Sequence, residues 1–219
     1  MIWEPKDIIG GDLYWFKGDG DSFLVGVIDC TGHGVPGAIM TMIAGTTLGR
    51  VVNEIGPSDP AKILVHMNDI IRQTLSQHME ETESNDGLDV GLCYVKKGSQ
   101  MIYAGANISL FILSCSNITE IRGNRQSVGY KSVGKNTVFS NHELIIEDGM
   151  TFYMATDGIK DQVGGDKRLP FGKSRLLNLL ISVQGLPFKD QKEAITSSIE
   201  IYSKGEIRRD DITLIGFEI

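Results

Sequence analysis

Four aspartate positions in the chain share one setting. Each stands at the end or edge of an apolar, strand-like run, with glycine close by in the chain or a second acid beside it. Asp12 follows Gly10-Gly11, and Asp29 closes the run from Val25 and precedes Cys30-Thr31-Gly32. Asp157 sits in Ala155-Thr156-Asp157-Gly158, and the pair Asp210-Asp211 opens onto Ile212-Thr213. A single such aspartate is ordinarily a turn or helix cap; four in one setting suggest convergence on one site. A carboxylate ending a buried strand is costly unless a cation or hydrogen bonds compensate it. A ligand set made of carboxylates alone selects a hard cation such as Mg²⁺ or Mn²⁺ over zinc. No histidine pair has zinc spacing: His66 and His78 fall on or beside a helix and His142 in a strand, where each reads as surface or packing. His33 stands inside the glycine loop next to Asp29 and is a candidate for shaping the site.

The elements that must carry these residues follow from hydrophobic periodicity. Asp12 to Phe16 and Phe23 to Asp29 read as two strands of a hairpin about Asp19-Gly20. With Asp19-Gly20 as the loop, Asp12 faces Val27 and Asp29 is its diagonal neighbour, roughly 7–8 Å away on the same face. Apolar residues on both faces of this pair imply a sheet covered on both sides. Val35 to Val52 reads as a helix opened by Pro36, with apolar residues spread widely enough to predict thorough burial. A second helix is expected from about Pro60 to His78, capped by Ser58 or Asp59. The acidic stretch 80–87 reads as a solvated loop. Strands are then expected at Leu88 to Lys96, with a turn at Lys97-Gly98, and at Met101 to Ala106, Leu110 to Ser114 and Ile118 to Arg122. Glu143 to Glu147 and Thr151 to Thr156 look like a further hairpin about Asp148-Gly149. Two helices, Lys173 to Val183 and Lys189 to Lys204, precede a last strand from Ile212 to Ile219. Strands, two helices, many strands, two helices and one strand fit an α+β β-sandwich flanked by helices, as one domain over residues 1–219.

Composition narrows the function. The chain has 219 residues, 41% of them hydrophobic, and a net charge of −7. That charge argues against a general nucleic-acid binder, which needs a basic face. The three cysteines are odd in number and lack Cys-x-x-Cys spacing, which suits a reducing compartment. The apolar runs read as too short to span a bilayer, and no signal peptide is evident. Ile2-Trp3 lies only a few residues before a strand, which suits a domain taken from a longer protein. Gly172-Lys173-Ser174 opens a helix as a phosphate-binding loop does, but six residues separate it from Gly165 where that loop needs four.

The ordered set Gly10-Gly11-Asp12, Asp29 through Ala38, Asp86-Gly87-Leu88-Asp89, Arg125 through Gly129, Thr156-Asp157-Gly158 and Asp210 through Thr213 resembles the SpoIIE-type bacterial branch of the metal-dependent protein phosphatases, which are similar to protein phosphatase 2C. The resemblance spans nearly the whole chain. It implies an α/β/β/α sandwich of two largely antiparallel sheets flanked by helix pairs, with two Mn²⁺ or Mg²⁺ ions in a cleft at one end. By position it implies that Asp29 bridges both ions, that the backbone carbonyl of Cys30 is a ligand, and that Asp12, Asp157 and Asp210 complete the set. Asp211 should point the other way, because successive strand residues alternate. The family's usual glycine after the bridging aspartate is Cys30 here, so its side chain must avoid the metal. No arginine stands at the place of the eukaryotic branch's substrate-phosphate arginine, which leaves the ions and loop amides to orient the phosphate.

The implied reaction is hydrolysis of phosphoserine or phosphothreonine on a protein, by a water activated between cations about 3.5–4 Å apart. The resemblance further implies a phosphorylated partner such as a small STAS-domain anti-sigma-factor antagonist. It implies a cytoplasmic setting, or the cytoplasmic domain of a membrane-anchored sensor. Contact with nucleic acid or membrane by the domain itself is not expected, and a homodimer is left open. The rival reading is a phosphatase fold that binds a phosphorylated partner without turning it over.

Overall fold

The computed structural model describes residues 1–79, 85–96, 100–133 and 137–219. The strands, in chain order, are β1 (Ile2–Glu4), β2 (Asp12–Asp19), β3 (Ser22–Cys30), β4 (Leu88–Lys96), β5 (Gln100–Ala106), β6 (Ser109–Ser114), β7 (Asn117–Arg122), β8 (His142–Ile145), β9 (Thr151–Ala155), β10 (Val163–Gly164), β11 (Leu169–Pro170) and β12 (Ile212–Glu218). The helices are α1 (Gly34–Ile55), α2 (Pro60–Thr74), α3 (Gly158–Asp161), α4 (Gly172–Ser182) and α5 (Phe188–Ser203). Two five-stranded antiparallel sheets, ordered β2-β3-β4-β5-β8 and β1-β12-β9-β6-β7, stack face to face, and β10 and β11 form a small separate pair.

Alternation along the strands builds three apolar layers. Val25, Val27, Cys93, Val95, Phe152 and Met154 fill the space between the sheets. Leu24 and Ile28 point the other way and pack with Leu48, Val52, Ile63 and Met67 of α1 and α2. Leu113, Tyr153 and Leu214 pack with Leu176, Leu180, Ile195 and Ile199 of α4 and α5. Each fully buried Leu or Ile contributes about 1.5–3 kcal/mol, so the two helix pairs are fastened by their apolar stripes. The α/β/β/α sandwich is thus the observed architecture.

Several local expectations are corrected. Gly20, with φ +57, takes the first loop position, so Gly20-Asp21 is the hairpin loop and Asp19 pairs with Ser22. Glycine at that position is what a II′ hairpin favours. The register therefore sets Asp12 directly opposite Asp29, not opposite Val27. The segments around Asp148-Gly149 are not a hairpin: β8 pairs with β5 in one sheet, and β9 lies between β12 and β6 in the other. The chain crosses between sheets there because Leu144 and Phe152 both bury toward the shared inter-sheet core. As an edge strand, β2 leaves Tyr14 and Phe16 exposed at 42% and 64%, so coverage of that sheet is incomplete.

Helix α1 is longer and less buried than its periodicity suggests. Met40, Ala44, Leu48, Val51 and Val52 are buried, whereas Val35, Ile39 and Met42 are exposed. At 22 residues it is long and apolar enough to cross a membrane by length and composition, contrary to the expectation from the sequence. Its buried face nevertheless belongs to the core shared with β3 and α2. Asp59 caps α2 by accepting from the Lys62 amide. The helix ends at Thr74, short of His78. Lys173, at the start of α4, is ion-paired with Glu120. Residues 80–84 of the acidic loop and the turn at Lys97-Gly98 lie outside the described residues.

Candidate metal centre

The hairpin register creates the site. Asp12 begins β2 and Asp29 precedes the last residue of β3, and they face each other as a cross-strand pair. Side chains directly opposite have Cβ atoms about 4.5–5.5 Å apart, and like charges there repel. On its other side Asp29 faces Asp89 of β4. Burial, then repulsion from Asp12, Asp157, Asp210 and Asp89, pushes the Asp29 carboxyl up to about 9. Burial chiefly, with Asp211 and Asp210 adding, pushes Asp12 up to about 7. Asp157 is raised by burial and by neighbouring acids, Asp161 first. These carboxylates therefore share one electrostatic centre, at the end of the sandwich where β3 runs into α1.

The chain on either side of the pair is held at close quarters. The Cys30 amide donates to the Gly11 carbonyl at 3.0 Å. A Cβ on Gly11 would lie 2.2 Å from the Gly32 carbonyl oxygen, and one on Gly37 would lie 2.4 Å from the same atom. Only glycine allows that approach. Cys30 itself is buried in the core against α1, facing away from Asp29, so its side chain does not crowd the acidic side. Thr31 locks the loop further: its amide and hydroxyl both donate to the Gly87 carbonyl at 2.9 Å, and its Oγ1 lies 2.8 Å from Tyr130 Oη.

The remaining candidates fall into distinct places. Asp157 is the residue before α3 and is exposed, and Asp210 accepts from the Asp211 amide at 2.9 Å. Asp211 is 2% exposed and turned away, accepting from the backbone amides of Lys6 at 2.6 Å and Gly11 at 2.5 Å. It is a strut for the Gly10-Gly11 approach to Asp12. His33 is about half exposed and lies between Lys6 Nζ and Asp7 Oδ2, each at 2.9 Å. It ties the start of α1 to the loop before β2.

The parts played by three residues escaped the reading of the sequence, although Thr156 and Asp89 stood in its motifs. Thr156 Oγ1, buried just past the end of β9, donates to Asp12 Oδ2 at 2.7 Å and accepts from the Thr213 amide at 3.0 Å. Asp89 was visible as part of a motif, but only strand pairing puts it opposite Asp29. Asn107 Nδ2 donates to Asp89 Oδ1 at 2.9 Å.

An oxygen-only donor set whose proton affinities are raised by burial and mutual repulsion is one that a hard divalent cation would relieve. Among the described residues no three acidic, histidine or cysteine side chains converge closely enough to enclose an ion as they stand. The suitability of the site therefore rests on its donor chemistry and on the raised proton affinity of Asp12, Asp29 and Asp157.

Comparison with known proteins places the chain in a family. Residues 19–219 match the family described as Stage II sporulation protein E (SpoIIE). The SiaA-PP2C domain of Pseudomonas aeruginosa is 35% identical, with a TM-score of 0.91 over 100% of this chain and 84% of that one. The PP2C phosphatase domain, with a fragment of the regulatory domain, of the cell fate determinant SpoIIE from Bacillus subtilis is 15% identical. It superposes with a TM-score of 0.70 over 98% of this chain and 60% of that one. RsbX in complex with magnesium is 21% identical, with a TM-score of 0.59 over 98% and 90%. At the two lower identities the likeness is one of fold. No curated protein matches the chain by sequence. The phosphatases of this family depend on Mg²⁺ or Mn²⁺, and a chain matched over residues 19–219 belongs to it: this is a SpoIIE-family phosphatase domain of the PP2C-like fold.

Proposed function

We propose that the chain hydrolyses phosphoserine or phosphothreonine on a protein partner, with two Mn²⁺ or Mg²⁺ ions held by Asp12, Asp29, the Cys30 carbonyl, Asp157 and Asp210. The observation that carries the reading is the direct opposition of Asp12 and Asp29, both with raised proton affinity. When bound, such ions supply Lewis acidity and an activated water for in-line displacement at phosphorus. In this reading Asp29, flanked by acids on both neighbouring strands, would be the ligand that the two ions have in common. The Thr156 hydroxyl orients Asp12 and favours its ionised form. Asp211 fixes the Gly11 backbone against the Asp29 loop. Thr31, Gly87 and Tyr130 hold the chain that leaves Asp29.

Residues 1–219 act in this reading as one catalytic domain of a larger regulator. The partner is a small STAS-domain phosphoprotein, a choice supported by family membership. The three free cysteines support a reducing, cytoplasmic setting. The test is Mn²⁺-dependent hydrolysis of p-nitrophenyl phosphate and of a phosphoserine peptide. Turnover that appears with metal and vanishes with chelator is the expected result. No turnover at millimolar metal would leave a phosphoprotein-binding module instead.

A further inference from the structure

A cavity of about 450 Å³ is lined by Asn107, just after β5, and by Arg125, Gln126, Ser127 and Tyr130 from the segment after β7. Two of its residues tie it to the acidic centre. Asn107 donates to Asp89, which faces Asp29 across β3 and β4. Tyr130 Oη meets the hydroxyl of Thr31, two residues beyond Asp29. Asn107 adopts a left-handed backbone, φ 58, a conformation in which asparagine is enriched among the non-glycine residues. Its amide spans Asp89 Oδ1 and Ser127 Oγ, each at 2.9 Å. One side chain thus links the acidic centre to the cavity wall.

The wall is rich in hydrogen-bond donors. Among the described residues Arg125 makes no hydrogen bond or ion pair, and Gln126 Nε2 is enclosed without a partner. Ser127 Oγ accepts from Asn107 and keeps its own proton to give. Asp89 accepts from the neutral Asn107 amide and makes no ion pair with Arg125, so the guanidinium's donors are left for an incoming group. A guanidinium offers a planar fork of donors that matches a phosphate or a carboxylate bidentately.

We propose that this cavity is an anion subsite for the phosphorylated substrate, with Arg125 as the residue that binds an oxyanion of the partner; this rests on the phosphatase reading above. The oxyanion is either the phosphoryl group being released or a carboxylate flanking it in the partner's chain. Wild type, Arg125→Lys and Arg125→Ala are compared with Mn²⁺ on three substrates. These are p-nitrophenyl phosphate and two phosphoserine peptides that differ only in acidic or neutral flanking residues. Arg125→Ala is expected to raise KM about 10-fold or more with little change in kcat, the loss expected for a charge-assisted hydrogen bond, and Arg125→Lys to recover part of it. A rise on all three substrates assigns the phosphoryl group to Arg125. A rise confined to the acidic peptide assigns the flanking carboxylate. KM unchanged within about twofold on every substrate overturns the proposal. So does a fall in kcat alone, or an equal rise on both peptides without one on the aryl phosphate. If wild type shows no metal-dependent turnover, the phosphatase reading fails, and calorimetric binding of the acidic phosphoserine peptide tests the subsite by itself. Weaker binding by Arg125→Ala supports the subsite, and equal binding overturns it.

Discussion

Thr156→Val removes one hydroxyl and keeps the shape of the side chain. That hydroxyl donates to Asp12 Oδ2 at 2.7 Å and accepts from the Thr213 amide at 3.0 Å, with both threonines buried. Its bond to Asp12 holds the carboxyl below the value that burial alone would set. Without it the proton affinity of Asp12 climbs further, and at pH 7 protons compete better with a cation for that oxygen. A hydrogen bond to a charged group is worth about 1.5–3 kcal/mol. That is roughly 10- to 150-fold in an equilibrium constant. The Mn²⁺ concentration for half-maximal binding should therefore rise by that factor at pH 7, and by less at higher pH, where the proton competes less. Thr156→Ser keeps the hydroxyl and should stay near wild type. Calorimetric Mn²⁺ titration reads this directly, and a thermal melt confirms that both variants are folded. A folded Thr156→Val protein with wild-type Mn²⁺ affinity at pH 7 would refute the role given to this hydroxyl.

The same electrostatics give a pH signature. Asp12 and Asp29 are raised to about 7 and about 9 in the folded chain, against about 3.9 for an unfolded aspartate. Between those values the folded state holds more protons than the unfolded one, so the metal-free protein should lose stability as pH rises from about 4 through about 9. Melts with chelator across pH 5–9 check this, and Asp29→Asn should flatten the slope; a slope unaffected by that substitution would contradict the assignment. Asp211→Asn leaves one acceptor oxygen for two backbone donors, Lys6 and Gly11. The loss of about 1.5–3 kcal/mol corresponds to a fall in Tm of roughly 3–12 °C for a chain of this size, measurable by calorimetry.

How much of this was legible in the sequence depends on which physical signal marks each residue. Asp12, Asp29, Asp157 and Asp210 drew attention because a carboxylate at the end or edge of an apolar run has few inexpensive explanations; the structure adds that Asp12 and Asp29 face each other across one strand pair. The sandwich was legible because strand and helix periods alternate cleanly and the helix stripes match the sheets they cover. Register was less legible: Asp19-Gly20 and Gly20-Asp21 are both plausible loops, and only the positive φ of Gly20 decides between them. The crossing at Asp148-Gly149 looked like a hairpin because a turn between apolar runs does not say which sheet receives the next strand. β1 is three residues long and pairs with β12 at the far end of the sequence, so it carries no periodic signal of its own. The roles of Thr156, Asp89 and Asn107 stayed hidden for a related reason: what they do depends on a partner in another strand or loop.

The most direct test compares wild type with Asp157→Asn on a phosphoserine-bearing protein partner in the presence of Mn²⁺, following release of inorganic phosphate. Asp157 is the exposed member of the acidic centre, so the substitution leaves the core intact. Wild type should release phosphate in a metal-dependent manner, and the variant should lose activity by about two orders of magnitude or more, the scale on which a lost transition-state charge contact is felt. Full activity in a folded Asp157→Asn protein would contradict a phosphatase centre built on these aspartates.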